Sequence, residues 1–273
     1  MSYFGTSRFG NIPPVVKNLL IINILLLFGT FAIQKAWGVD LTRLFGLYYF
    51  QSEYFRPYQF ITHMFMHGGL THLFFNMFAL WIFGKVLEGV WGPKRFFIYY
   101  MVTGLGAAAL HTFVNWIELS SLQSAATAFS NTPSPELYAE FIKAHVPTPN
   151  RQVYDFITRW GYNPNNPEYI RMATAQIQNF VASRLNIPTV GASGAIFGVL
   201  LAFGMLFPNT QLMLLFLPIP IKAKYLVIFY AILEIWLGFT QPGSNVAHFA
   251  HVGGMLFGFI LIKYWSINKK TFY

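Results

Sequence analysis

The sequence predicts an all-α membrane protein, a bundle of six transmembrane helices with an external helical insertion between the third and fourth. Hydrophobic residues make up 55% of the 273 residues and charged residues only 10%, whereas soluble domains carry roughly 25% charged residues. Six mainly apolar stretches also approach the length of about 20 residues that one crossing of the bilayer needs. The chain has too few charged residues for a water-facing surface, so the membrane is its natural solvent.

The six predicted spans are 15–33, 70–87, 96–116, a stretch from 191 that ends before Pro208, 225–239 and 246–265. In this topology the loops on one side are rich in Lys and Arg, with Glu88 as their acidic counterpart. Because Lys and Arg accumulate in cytoplasmic loops, both termini are expected in the cytoplasm. We expect an integral, multi-pass protein of a bacterial plasma membrane.

Charge and cysteine content exclude several classes of protein. A net charge of +9 would suggest nucleic-acid binding in a soluble protein. Here the basic residues are spread among membrane loops, so we expect contacts with membrane lipid and no nucleic acid. The absence of cysteine excludes disulfides, thiolate catalysis and Cys-ligated zinc. No small-residue cleavage site follows the first apolar run, which is interpreted as a retained helix.

Two connections are more than simple loops. Residues 38–69 are rich in aromatic side chains but interrupted by charges and Pro57, which indicates an interfacial structure in the headgroup layer. Residues 118–188 are polar with helical periodicity, and Ser134-Pro135-Glu136 is typical of a helix start. We interpret 118–188 as an external insertion within a single membrane domain, 1–273, and as a passive lid or a partner surface. No internal repeat of the kind found in transporters is visible.

The candidate chemistry lies at the starts of three helices. With the N-terminus inside, the second, fourth and sixth helices all begin at the outer face, and each carries polar groups in its first turns. These groups are His72 and Asn76, then Ser193, then His248 and His251. They are expected at a similar shallow depth, facing the bundle or a water-filled cavity.

Ser193 and His251 suit a nucleophile and its base. Gly194 and Gly198 form a small-residue face beside Ser193, which allows close helix packing. The sixth helix carries Ala250, Gly254 and Gly258 at the same spacing. If these faces bring the two helices together, His251 can take the proton of Ser193. No Asp or Glu is near either residue in the sequence, so we expect a dyad rather than a triad.

Donors for an oxyanion are available around the same point. Ser193 is predicted at a helix N-terminus, where backbone N–H groups are free. His72 and Asn76 are four residues apart, hence on one helix face, and both side chains can donate.

Several of these residues have simpler interpretations. A lone Ser in a membrane helix usually packs or bonds to its own helix, and a lone His is often structural. His63, His67 and His72 could suggest a metal site, but no Glu stands beside them as in His-Glu-x-x-His, so we expect no metal. Glu234, inside the fifth span, is anomalous; a structural pairing is favoured over a role in gating.

In combination these motifs resemble the rhomboid family of intramembrane serine proteases. The matching stretches are HMFMHGGLTHLFFN at 63–76, GASG at 191–194, and AHVGG at 250–254 followed by Gly258. The resemblance covers all six spans and implies a six-helix core. It implies that Ser193 is the nucleophile, that His251 is the general base, and that His72, Asn76 and the Ser193 N–H form the oxyanion hole.

The resemblance also implies a substrate-facing position for Gly191, and we expect Ala192, Phe197 and His248 to face the substrate too. Phe55-Arg56 resembles the aromatic-Arg motif of the family's first external loop, and Glu88 resembles a structural glutamate. The sequence departs from many bacterial members at Phe197, where they carry Tyr; Phe can still stack on the histidine but lacks the hydroxyl. The insertion is not part of the family's minimal core.

The expected function is hydrolysis of transmembrane protein substrates without a cofactor. Helix five and the loop at 243–245 are candidates for a substrate gate. A catalytically silent rhomboid-like protein that binds client membrane proteins is the alternative, and the intact Ser193 and His251 argue against it. A transporter would need broken helices and carboxylates near the middle of the membrane. Glu234 is the only carboxylate that the predicted spans offer there. The sequence does not set the oligomeric state.

Overall fold

The structure is a computed structural model that describes residues 12–214, 217–241 and 246–267. It divides into two compact units. The first comprises residues 1–47, 56–112 and 188–273, and the second comprises 48–55 and 113–187. The first unit contains the apolar helices and the second contains the polar helices of the predicted insertion.

The first unit begins with α1 (Pro14–Trp37), followed by two short helices, α2 (Leu41–Phe45) and α3 (Gln59–Thr62), and a 3₁₀ turn at His63–Phe65. A continuous helical run then joins α4 (Leu70–Ala79) through a π-helical turn (Leu80–Gly84) to α5 (Lys85–Trp91). The long α6 (Pro93–Asn131) starts in this unit, and α10 (Ser193–Leu206), α11 (Ala223–Thr240) and α12 (His248–Ile267) complete it.

Within the described residues, five helical runs are long and apolar enough to cross a membrane: α1, 70–91, α6, α11 and α12. The fourth predicted span, α10, has only 14 residues and is therefore about 21 Å long, shorter than the hydrocarbon core of about 30 Å. Large apolar side chains remain exposed along these helices, among them Ile232 at 63% and Trp236 at 58% on α11. Such exposure suits lipid contact, and the chain is an integral, multi-pass membrane protein.

Two elements differ from the sequence-based expectation. The third span was expected to end at 116, but α6 continues to Asn131 because residues 117–131 contain no Gly or Pro, and Pro133 follows its end. A short antiparallel hairpin, β1 (Gln211–Leu214) and β2 (Leu217–Lys222), was not predicted. Its register pairs Gln211 with Lys222 and Leu212 with Ile221.

A buried carboxylate fixes the start of α1. Glu88 of α5 is 2% exposed and accepts hydrogen bonds from the backbone N–H groups of Val15 at 2.9 Å and Val16 at 2.8 Å. The first N–H groups of a helix have no partner within the helix, and Pro14 at the first position has none to offer. Glu88 thereby satisfies two of the free donors.

The second unit has its own hydrophobic core. Its helices are α7 (Pro135–His145), α8 (Arg151–Gly161) and α9 (Pro167–Leu185). The core is aromatic, built around Trp160, Tyr138 and Phe129. Side chains of Ser134, Asn150 and Asn166 cap the three helices, so the helix start predicted at Ser134-Pro135-Glu136 is confirmed.

Candidate active site

The side chains of Ser193 and His251 meet in the first unit. Ser193 is the first residue of α10, and His251 lies in the first turn of α12. The Ser193 Oγ and the His251 Nε2 are 2.9 Å apart, a hydrogen-bonding distance. They meet because α10 and α12 touch through their backbones: a β-carbon at Gly254 would collide with the carbonyl group of Gly194. The sequence prediction that glycines bring these helices together is confirmed at this pair.

The other glycines of the predicted faces have different neighbours. A β-carbon at Gly198 would collide with Thr103, and one at Gly258 would collide with Tyr99, both on α6. Tyr99 also donates a hydrogen bond from its hydroxyl to the Gly198 carbonyl at 2.8 Å. Gly198 of α10 and Gly258 of α12 thus allow close packing of α6, in addition to the contact between α10 and α12 at Gly194 and Gly254.

Phe197 holds the face of the His251 ring. The two rings are stacked, with centroids 4.1 Å apart and an angle of 8° between their planes. Phe197 follows Ser193 by one turn of α10 and also makes an edge contact with Tyr230 of α11. The phenyl ring thus limits the rotation of the imidazole without contributing a polar group.

His72 lies close to Ser193, with the backbone of Gly191 beside both residues. Gly191 has a φ of +128° and donates its N–H to the His63 carbonyl at 2.9 Å. A β-carbon at Gly191 would lie 2.8 Å from the His72 Nε2 and 3.6 Å from the Ser193 Oγ. Both the backbone conformation and the close approach require glycine here, and the missing side chain leaves room between His72 and Ser193.

The side chains of His72 and Asn76 can both donate a hydrogen bond near Ser193. The Gly68 N–H points at the His72 Nδ1 over a long 3.5 Å, which favours the tautomer with the proton on Nε2. Asn76, one turn along α4, is 5% exposed, and its amide nitrogen has no hydrogen-bond acceptor among the residues that the structure describes. Buried donors normally have partners, so the amide of Asn76 suits an acceptor from another molecule, and the half-buried His72 lies one turn away from it.

His67 adds no charge at this side. Its buried ring lies 5.1 Å from that of His72, centroid to centroid. Burial lowers the pKa of His67 to about 4, and the neighbouring His72 lowers it as well. His67 is therefore neutral at pH 7.

Glu234 of α11 is the residue that the sequence interpretation missed at this site. Its Oε2 lies 2.7 Å from the His248 Nδ1 and 2.9 Å from the His251 Nδ1. All three residues are 7% exposed. No carboxylate is near Ser193 or His251 in the sequence, yet one is beside His251 in space. The available signal was its type and place, since a carboxylate inside an apolar span needs a polar partner.

Comparison with known proteins gives the family. The family model described as the rhomboid domain matches residues 54–119 and 169–267 of the sequence, together more than half of the chain. The chain belongs to the rhomboid family. The unmatched residues between the two matched segments of the rhomboid domain lie within the second unit.

Three curated relatives carry rhomboid names. A protein named an uncharacterized mitochondrial rhomboid protein of Schizosaccharomyces pombe is 29% identical over 219 residues, which is 76% of this chain and 51% of the relative. The mitochondrial rhomboid protein 1 of Saccharomyces cerevisiae is 25% identical over 282 residues, 98% of this chain and 61% of the relative. The chloroplastic rhomboid-like protein 11 of Arabidopsis thaliana is 40% identical over 62 residues, 23% of this chain and 21% of the relative. The chain thus spans about half to three fifths of the first two.

The residues of this rhomboid domain that were expected to face the substrate divide into two groups. Gly191 and Phe197 lie against the catalytic candidates, as described above. Ala192 is fully buried in the hydrophobic core, and the His248 ring is directed at Glu234. The side chain of Ala192 therefore presents no surface to a substrate, contrary to the expectation. His248 is 7% exposed, as is His251, and its substrate-facing role stays a prediction. The loop at 243–245, expected to contribute to a gate, lies outside the described residues.

Proposed function

We propose that this rhomboid protein is an intramembrane serine endopeptidase that hydrolyses peptide bonds in or near the transmembrane segments of other membrane proteins. The observation that carries the proposal is the 2.9 Å distance between the Ser193 Oγ and the His251 Nε2 at the start of two packed helices. A serine hydroxyl becomes a useful nucleophile when a positioned base takes its proton, and histidine is the usual base.

The proposed reaction proceeds through an acyl-enzyme. His251 takes the proton of Ser193 through Nε2 while the Ser193 oxygen attacks the scissile carbonyl. The Nε2–H of His72, the amide of Asn76 and the backbone N–H of Ser193 stabilise the oxyanion. The imidazolium of His251 then protonates the leaving amine, and water, activated by His251, releases the acyl group. These steps need no metal or organic cofactor.

The substrate must offer an extended segment. A helix hides its peptide carbonyls in hydrogen bonds, so the cleaved stretch has to unwind, and an unwound backbone is tolerated at membrane depth only in a polar cavity. Helix α11, which places Glu234 beside His251 and Tyr230 against Phe197, remains our candidate for the movable wall. Membrane lipid is the expected surrounding.

For localisation, the family and the apolar helices support an integral membrane protein. Relatives named mitochondrial or chloroplastic give no support to the expected bacterial plasma membrane. From the charge pattern we infer only that both termini share the side with the basic loops.

The test is cleavage of a fluorescent transmembrane substrate by the purified protein in detergent, beside Ser193→Ala. We expect Ser193→Ala to reduce kcat by about 10³-fold or more, since removing a serine nucleophile abolishes the covalent route. We also expect a fluorophosphonate probe to label the wild type and not Ser193→Ala, with or without a chelator.

Cleavage that survives in Ser193→Ala would remove Ser193 as the nucleophile. A wild type that neither cleaves any of several substrates nor reacts with the probe would favour the silent, client-binding alternative.

A further inference from the structure

Glu234 occupies the position that an orienting carboxylate takes in serine hydrolases. A general base works best when a third group holds its ring, as the aspartate does in the Ser-His-Asp arrangement. In this chain the Nε2 of His251 faces Ser193 at 2.9 Å, and its Nδ1, on the opposite edge of the ring, lies 2.9 Å from the Glu234 Oε2. The Ser193 hydroxyl and the Glu234 carboxylate thus lie beside the two nitrogens of one imidazole ring.

The distances match hydrogen bonding rather than a preformed metal site. Glu234, His248 and His251 are residue types that bind zinc. Ligand atoms around a tetrahedral zinc, at about 2.1 Å from the metal, are about 3.4 Å from one another. The 2.7 Å and 2.9 Å separations between the carboxylate oxygen and the two ring nitrogens are shorter than that.

The two histidines share the carboxylate unequally. His248 donates a well-aligned hydrogen bond from Nδ1, whereas the His251 Nδ1 is close to the same oxygen but lacks an aligned acceptor among the described residues. Catalytic hydrogen bonds are commonly misaligned in ligand-free enzymes and tighten when the substrate is bound. The His248 hydrogen bond is therefore already aligned, and the His251 contact is the one that can strengthen during the reaction.

We propose, building on the function proposed above, that Glu234 is a positioning residue for catalysis: it keeps the proton of neutral His251 on Nδ1 and stabilises the imidazolium that forms when Nε2 takes the proton of Ser193. The site is then a Ser193–His251–Glu234 triad whose third member comes from α11. Glu234 itself stays ionised throughout and does not touch the substrate.

This arrangement links α11 to the chemistry. Glu234 and Tyr230 are one turn apart on α11, and the first faces His251 while the second contacts Phe197, which is stacked on His251. An α11 that moves away from α12 would withdraw the carboxylate from the base. The proposed protease is therefore complete only when α11 is packed against α12.

The test compares Glu234→Gln, Glu234→Asp and the wild type by kcat and KM for a transmembrane substrate, with active molecules counted by fluorophosphonate labelling. Glutamine has a similar size but no charge and can select the wrong tautomer. We expect kcat per labelled molecule to fall by about 10²-fold or more, with KM within about threefold and slower labelling of Ser193. Glu234→Asp keeps the charge, and we expect it to recover at least about a tenth of the wild-type kcat.

Two variants separate this role from a structural one. Glu88→Gln makes the same change at another buried glutamate, and we expect an unchanged kcat per labelled molecule. His248→Gln removes the second partner of Glu234; if Glu234 only ties α11 to α12 through His248, this variant will lose as much kcat as Glu234→Gln, which would contradict the proposal. We expect its loss to stay below about tenfold, the value of a single hydrogen bond.

The outcomes distinguish the two proposals. An active wild type with an equally active Glu234→Gln would overturn the role of Glu234 and leave the protease function intact. A wild type that neither cleaves nor labels would overturn the protease function and this inference with it.

Discussion

Two buried glutamates, Glu88 and Glu234, lie in helices that cross the membrane. Their hydrogen-bonding partners are of different kinds. Glu88 accepts from two backbone N–H groups at the start of α1, whereas Glu234 faces two imidazole rings. The peptide N–H groups cannot change their charge and barely move. An imidazole can gain and lose a proton, so a carboxylate beside it can influence a reaction.

The comparison shows that burial alone does not identify a functional carboxylate. Burying a charge is costly unless it is paired and hydrogen-bonded, and both residues meet that condition. At Glu88 the compensation comes from the free donors and the positive end of the α1 dipole. At Glu234 it comes from groups that belong to the candidate catalytic site. The identity of the partner, and not the depth of burial, distinguishes the two regions.

The largest expected effect on stability follows from Glu88→Ala. This change leaves the N–H groups of Val15 and Val16 without their acceptor, and we expect it to lower the free energy of unfolding by about 2–4 kcal/mol. Thermal or denaturant unfolding in detergent measures the loss. Cleavage per fluorophosphonate-labelled molecule should stay at the wild-type value. A fall in kcat for the labelled molecules would contradict the distinction between a structural Glu88 and a functional Glu234, because Glu88 would then also affect the reaction.

An intermediate effect is expected at Phe197, which holds the face of His251 while Glu234 holds its edge. Phe197→Ala removes a stacked ring, an interaction of about 0.5–1.5 kcal/mol, and we expect kcat to fall by about tenfold. Phe197→Tyr keeps the stack and should stay within about twofold of the wild type. Steady-state cleavage by the three proteins measures this. A Phe197→Ala variant as impaired as Glu234→Gln would show that the ring, and not the carboxylate, is the main restraint on His251.

Much of the fold could be predicted because its signals are local. An apolar run of about 20 residues specifies a membrane helix without reference to the rest of the chain, and the run at 70–91 starts at the expected residue. The ends were harder, since α6 continues through a polar segment that lacks a helix breaker. The pairing of 211–214 with 217–222 was missed because it depends on a strand register that apolar composition does not reveal.

At the candidate site, the residues that could be predicted were also those that lie in sequence motifs. The meeting of Ser193 and His251 follows from glycine spacing and helix direction. The approach of Glu234 to His251 could not be derived in this way, because it depends on the rotation of α11 about its own axis. Helix rotation is decided by contacts such as that between Gly204 and Val227, and the nearly all-apolar sequence of α11 gives no polar face from which to infer it. The substrate-facing prediction for Ala192 failed because burial also depends on tertiary contacts. Its neighbours in the core come from other helices.

The smallest effect on stability is expected at Ser134 in the second unit. Like Glu88, this side chain accepts a hydrogen bond from a backbone N–H group. The Ser134 Oγ accepts from the Leu137 N–H at 3.2 Å and caps α7. Ser134→Ala should destabilise that helix by about 1 kcal/mol and speed hydrogen exchange in residues 134–145, while Thr at this position should preserve the cap. Since its partner is a backbone N–H, we expect no change in kcat for a substrate cleaved in detergent. A loss of cleavage that accompanies the faster exchange would show that α7 contributes to turnover, and partner identity would then be insufficient to separate structural from functional polar groups in this protein.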